Sequence, residues 1–322
     1  MKFVTLAGAL LVTVAHAQTF KPANVPAVNA NKNVANAKNA EDTRKFTAFV
    51  HTATEPFISA HEKTSVKNVT RTSQKGGSQT VPDPGLQVTR IAGRSWGPFI
   101  VGVDKATKFA SMINVAKPGQ QPLAVQPGDA FNVIGNLPTR NRDTHYVLPP
   151  ETRDAVATVT TTAPNVSRID FALADGKPDA MVFVTPREMG YDGVGPWMPY
   201  AVKWDNSLRR WTIVATDNSG FGHFLHFNMV VFPGQGTHGD VRVHRFVVSN
   251  QNPDGPTRLP RSMAGKDDIV VLTPVIGAKG AVIAELVAVG IEPDTGLWQI
   301  VTPSKKVPEG AEFNVLVAKK TR

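Results

Sequence analysis

The stretch that decides the fold is EFNVLV, residues 312–317. Phe313, Val315 and Val317 alternate with Glu312, Asn314 and Leu316, the two-residue period of a β-strand. The pattern returns as AFNVIG at 130–135 and as HFNMVV at 226–231. Upstream of each Phe-Asn pair a threonine closes an apolar run: Thr89 in LQVTR, Thr185 in MVFVTP and Thr273 in IVVLTP. From these threonines to Phe131, Phe227 and Phe313 the separations are 42, 42 and 40 residues. Spacing this even signals an internal repeat.

Between the anchors lies a shared middle: GPFIVGVDKATKFASMINV (97–115), MPYAVKWDNSLRRWTIVAT (198–216) and AELVAVGIEPDTGLWQIVT (284–302). Each is an apolar run, a polar turn containing Asp, and a second apolar run. WDNSLRRW (204–211) reads as a hairpin loop. Trp211 and Trp298 hold equivalent places, whereas the first copy has FASMI there and an additional GQQPLAV (119–125). QPGDAFN and PEGAEFN set Pro and Gly before the last strand, as a tight turn requires. The chain is therefore expected to be all-β, with three tandem antiparallel β-sandwich (or small barrel) repeats of about 80–95 residues at 44–137, 143–234 and 240–320. Helical periodicity is nowhere convincing, residues 40–63 being the one weak candidate. Residues 67–85, KNVTRTSQKGGSQTVPDPG, read as a long loop.

Asn is disfavoured in strands, so Asn132, Asn228 and Asn314 need a reason. The reading adopted is architectural: Phe131, Phe227 and Phe313 fill the core, and each Asn side chain ties down an adjacent loop backbone.

The N-terminus reads as an address. Lys2, the apolar FVTLAGALLVTV and the small-x-small AHA ending at Ala17 fit a secretory signal peptide over residues 1–17. Its dozen or so apolar residues fall short of a bilayer span of ~30 Å. Residues 18–43, rich in Asn, Ala and Lys, read as a flexible linker. The expected location is secreted, extracellular. The 322 residues include no cysteine, so burial and strand pairing must hold an exported chain together, and thiolate metal sites and cysteine nucleophiles are excluded. Gly (26) and Pro (25) leave little room for long helices. A formal charge of +9 favours anionic partners, although no Lys/Arg block exceeds a triplet.

The order VTP, then an apolar strand ending in Asp, then W-x-I, then Pro/Gly and F-N-V-L-V resembles repeats in uncharacterised secreted proteins. Their repeat often opens with F-x-H-x-A-T, which FVHTAT at 49–54 matches; HYVLPP and VHRFVV depart from it. The resemblance covers most of residues 46–318. It implies an extracellular β-rich repeat protein and carries no activity.

Candidate chemistry is sparse. GRSWG (93–97) matches the G-x-S-x-G elbow with Ser95 as nucleophile, but that elbow needs a helix after it and PFIVGVD reads as a strand. His223, His226, His238 and His244 crowd together, and Asp240 adds a carboxylate, so His223, His226, His238 and Asp240 are the metal candidates. Residues three apart on a strand face opposite sides, which argues against a shared ion. No metal and no cofactor are assigned. Trp96, Trp197, Tyr200, Trp204, Arg209 and Arg210 form the candidate ligand-binding set, since loop aromatics beside arginines stack on sugars or pair with anions. Asn68 and Asn165 sit in glycosylation sequons. No nucleotide fingerprint, no regular basic–aromatic stripe for nucleic acid and no membrane span is found.

The expected function is that of a secreted, non-enzymatic protein binding an anionic or carbohydrate surface, or a host or other extracellular protein, through inter-strand loops, with the repeats adding multivalency. The alternatives are a secreted serine- or metal-dependent hydrolase and a self-assembling extracellular structural protein.

Overall fold

The structure is a computed structural model. It describes residues 47–54, 58–61, 68–72, 78–82, 86–93, 95–103, 110–115, 125–135, 146–148, 158–163, 165–171, 173–187, 198–219, 227–249 and 257–321, all within one compact body, Asn39–Arg322. Residues 1–46, with the expected signal peptide and linker, lie outside the described residues.

The described residues form strands and turns, with no helix. The first stretch holds β1 (Thr47–Thr52), β2 (Ile58–His61), β3 (Asn68–Thr72), β4 (Ser78–Pro82), β5 (Gln87–Ile91), β6 (Phe99–Val103), β7 (Ala110–Asn114) and β8 (Ala130–Gly135). The middle holds β9 (Tyr146–Leu148), β10 (Thr158–Ala163), β11 (Val166–Asp170), β12 (Met181–Pro186), β13 (Tyr200–Asp205), β14 (Arg210–Ala215) and β15 (Phe227–Phe232). The last holds β16 (Gly236–His238), β17 (Val241–Val247), β18 (Thr257–Arg258), β19 (Asp268–Ile276), β20 (Ala288–Ile291), β21 (Trp298–Val301) and β22 (Glu312–Lys319). Thus the weak helical candidate at 40–63 contains strands β1 and β2. The expected long loop at 67–85 contains the β3–β4 ribbon.

Each Phe-Asn strand is the centre of an antiparallel triplet: β1-β8-β5, β9-β15-β12 and β17-β22-β19. In every triplet the threonine stands opposite the asparagine: Thr89↔Asn132, Thr185↔Asn228 and Thr273↔Asn314. All six side chains are buried.

Their partners lie across the fold. The Asn132 amide donates to Val270 O at 2.9 Å, Asn228 to Leu86 O at 3.1 Å, and Asn314 to Val182 O at 2.7 Å. The threonine hydroxyls accept in the same cyclic order. Thr89 accepts from Leu272 N at 2.8 Å, Thr185 from Val88 N at 3.0 Å, and Thr273 from Val184 N at 3.2 Å. At the threonine each of these strands has a ladder on one side only, so its other edge there carries N–H and C=O groups that burial would leave unpaired. The Thr and Asn side chains of the next triplet occupy that edge. Asn132 and Asn314 therefore bind strand backbone, and Asn228 binds Leu86, the residue just before β5, where the sequence suggested an adjacent loop in each case.

Farther along the same edge, strand backbone takes over. Val289 pairs with Ile91 and Val202 with Val275 in parallel, and Val101 forms a parallel bridge to Arg187. A wholly antiparallel arrangement is corrected at these joints. They fuse strands remote in sequence into a six-stranded sheet, β1-β8-β5-β20-β21-β18, and an eight-stranded one, β10-β11-β14-β13-β19-β22-β17-β16.

The core has four parts. One cluster includes Phe49, Val88, Met112 and Phe131; a second Val184, Trp211, Ile213 and Phe227; a third Leu272, Trp298, Ile300 and Phe313. The fourth gathers Ile134, Phe183, Val230, Phe232, Val271 and Leu316 on the opposite face of the same strands. In EFNVLV, then, Phe313 and Val315 point to one core while Asn314 and Leu316 point to another. Both faces are buried, and a polar residue is admitted only with its hydrogen bond made.

Candidate functional site

The residue after the threonine is Arg90 in one strand and proline, Pro186 and Pro274, in the other two. These three line a cavity of about 60 Å³. Its walls add Trp96 from the β5–β6 connection, Phe99 from β6, Tyr200 from β13, and Glu285 and Val287 from the approach to β20. The cleft is thus built from three chain segments that reach it by equivalent routes.

One wall is clamped from beneath. Arg90, 3 % exposed, forms an ion pair with Asp129, 1 % exposed, at 3.1 Å. The Arg90 guanidinium also donates to Ser95 Oγ at 2.7 Å, to Ser95 O at 3.2 Å and to Gly97 O at 3.1 Å. Ser95 Oγ donates to Asp129 at 2.5 Å, and Gln126 N–H donates to the same carboxylate oxygen at 2.9 Å. Backbone on both sides of Trp96 is therefore pinned to a buried cation. The guanidinium further packs on the Phe131 and Phe99 rings, 4.9 and 5.8 Å from their centroids. Burial pushes the Asp129 carboxyl up, but the hydrogen bonds from Ser95 and Gln126 and the Arg90 charge outweigh it and hold it below the usual range.

The strand that the sequence suggests after Ser95 is present. Ser95 lies between two strands, β5 and β6, with no helix after it. Its hydroxyl is engaged with Arg90 and Asp129, as a tie in the clamp.

The second exposed feature is the β13–β14 hairpin. Asp205 caps its tip: one carboxylate oxygen accepts from Ser207 N, Ser207 Oγ and Leu208 N at 2.8, 2.6 and 3.0 Å. Those bonds, the Ser207 hydroxyl first, hold its carboxyl below the ordinary value. Arg209 takes a left-handed backbone, φ 51°, and is exposed beside exposed Leu208. Arg210 pairs with Asp175 at 3.2 Å. Trp204 is half-buried, edge-on to Trp211 at 5.9 Å, with its indole N–H donating to Asn206.

The candidate ligand set therefore divides. Trp96 and Tyr200 line the cleft, Trp204, Arg209 and Arg210 belong to the hairpin, and Trp197 lies outside the described residues. Tyr200 packs edge-on against Phe227 at 5.2 Å, and burial raises its phenol. Trp211 and Trp298 are core residues whose indole N–H groups donate to Lys177 O and Gly265 O. Of the metal candidates, His223 and His226 lie outside the described residues. His238 is bonded to Gly234 O at 3.0 Å, and Asp240 is exposed. Among the described residues no three His, Cys, Asp or Glu side chains converge on one point. No helix among them is long and apolar enough to cross a membrane.

Sequence reasoning missed Arg90, Asp129, Phe99 and Glu285. A signal for Arg90 was present: it stands where the other two threonine strands have proline. Asp129 lies 39 residues away, and nothing local links the two.

No known protein family, no curated protein and no solved structure matches this chain.

Proposed function

We propose that the chain is a secreted, non-enzymatic protein of three tandem β-repeats, closed into a ring, that binds an extracellular carbohydrate or anionic surface through the β13–β14 hairpin. The repeat reading is supported by the cyclic Thr and Asn bonds, which run in one direction through all three triplets. The binding reading rests on one observation: the hairpin tip fixes its own turn through Asp205 and so presents Trp204, Leu208 and Arg209 on a rigid support. A rigid aromatic beside a cation suits a sugar ring or an anionic group, and little side-chain or loop entropy is lost on contact.

The corresponding turn of the β20–β21 hairpin is acidic. Glu292 there is paired with Arg258 at 2.5 Å. The tips therefore do not offer copies of one site, and binding is assigned to a single hairpin rather than to multivalency.

The test is a pull-down of residues 18–322 on insoluble polysaccharides and on sulfated beads, at 0.05 and about 1 M salt. The Debye length falls over that range from above 10 Å to about 3 Å. Retention at high salt, lost in Trp204→Ala, is the expected result. Retention unchanged in Trp204→Ala, or binding that disappears with salt, rejects the hairpin and leaves only the net charge.

A further inference from the structure

We infer that the cleft between Arg90, Pro186 and Pro274 is a second site, distinct from the hairpin tip, and that it takes a methylated ammonium group. Three features point there. The first is aromatic: Trp96, Phe99 and Tyr200 contribute to one small cavity, and ring faces attract cations stripped of water. The second is charge. Two of the lining residues are ionised side chains with opposite signs, Arg90 and Glu285. Arg90 is cancelled by Asp129 at 3.1 Å. That leaves the Glu285 carboxylate, half-buried and steadied by Ser304 N–H at 2.9 Å, as the charge a ligand meets. The third is size. About 60 Å³ gives room for roughly four water-sized groups, which matches a trimethylammonium head.

The rest of the lining fits this ligand class. Pro98, Pro186, Pro199 and Pro274 bring no N–H donors and little side-chain freedom, so the cleft has an apolar wall that loses little entropy on binding. The clamp acquires a role as well. Arg90 and Ser95 hold the backbone around Trp96, which is the condition for a preformed aromatic wall.

The site is tested on the full secreted chain with choline as probe, followed by tryptophan fluorescence and calorimetry. The neutral isostere 3,3-dimethylbutan-1-ol and potassium chloride serve as controls. Saturable choline binding at least tenfold tighter than the isostere is expected. Glu285→Gln keeps the acceptor for Ser304 N–H and is expected to weaken choline about tenfold while leaving the isostere unchanged. Trp96→Ala is expected to abolish binding, with folding checked by thermal melt. Equal affinity for choline and isostere, no saturation by 100 mM, or an unaltered Glu285→Gln variant overturns the proposal. Phosphatidylcholine vesicles and a trimethyl-lysine peptide, each competed with free choline, tell a lipid head group from a peptide side chain. Loss of choline binding in Trp204→Ala, a residue outside the cleft lining, would also overturn it.

Discussion

Replacing Asn314 tests the closure of the fold at its most buried point. Its amide N–H reaches Val182 O at 2.7 Å from a side chain that is fully buried. Asn314→Ala removes that bond and leaves a carbonyl oxygen unpaired, at ~1–3 kcal/mol. It also opens a small cavity, but removes Asn314 Oδ1, which has no partner among the described residues. The net loss should be about 2 kcal/mol, a fall in Tm of roughly 4–8 °C for a large domain. Asn314→Asp is the sharper change. At neutral pH it turns a carboxylate toward a carbonyl oxygen in a dry core, and the loss should reach ~3–5 kcal/mol. Burial raises that carboxyl, so lowering the pH protonates it in the folded state and restores an O–H donor for Val182. The deficit of Asn314→Asp relative to wild type should therefore shrink as pH falls from 7 to 5, while that of Asn314→Ala stays constant. Thermal and urea melts at the two pH values measure both. A Tm for Asn314→Ala within 1 °C of wild type, or a deficit of Asn314→Asp that does not change with pH, would refute the lock. The same ordering is expected at Asn132, whose Oδ1 is likewise without a partner among the described residues, but not at Asn228, whose Oδ1 accepts from Arg187 at 3.4 Å.

Other expectations follow from single contacts. Arg90→Ala leaves Asp129 buried without its counter-charge and should cost ~3–5 kcal/mol in urea unfolding, whereas Ser95→Ala should cost only ~1–2 kcal/mol; a hydrolytic activity abolished by Ser95→Ala at unchanged stability would sink the clamp reading. His51 is buried and its imidazole is lowered from 6.5 to about 4 by desolvation. The unfolded chain takes up that proton first, so stability declines as pH falls from 6.5 to about 4, by about 3 kcal/mol in all. His51→Phe should flatten this slope, because Phe246 already stands opposite Phe313 where His51 stands opposite Phe131; an unaltered pH profile counts against it. A fragment ending at residue 234 loses the strands that pair with β5 and β13, so it should lack cooperative unfolding and a dispersed NMR spectrum; a well-folded fragment would show the joints to be dispensable.

Much of the strand content was legible because the signal is local. Alternation in EFNVLV, β-branched runs before the threonines and Pro-Gly before β8 each report on a few neighbouring residues. Even the Thr–Asn spacing was visible, and those residues do stand opposite each other in all three triplets. Their partners were not legible. Asn314 binds a carbonyl 132 residues away, and no period in the sequence encodes which strand edge lies across a core. The alternation itself misled in one respect. It suggests one apolar and one polar face, whereas Asn314 and Leu316 face a second core as dry as the first. The candidate site was half legible for the same reason. Single loop aromatics such as Trp96 and Tyr200 can be picked out by type, but a cleft shared by three segments exists only after the ends of β5, β12 and β19 are brought together.

Where the three triplets agree and where they differ separates architecture from chemistry. The Thr and Asn positions admit no variation, because each must cap one edge of the neighbouring strand and a single failure would expose backbone groups to a dry core. One residue farther on the requirement lapses: Pro186 and Pro274 bring no N–H donor there, and Arg90 turns toward Asp129. That one departure ties down Ser95 and Gly97 and thereby sets Trp96 against the cleft. The hairpin tips diverge likewise, one capped by Asp205 with Arg209 exposed, the other holding Glu292 against Arg258. A ring of equivalent parts, on this reading, carries non-equivalent sites, and the substitutions that create them lie just outside the buried lock, where a change of side chain leaves the strand edges paired.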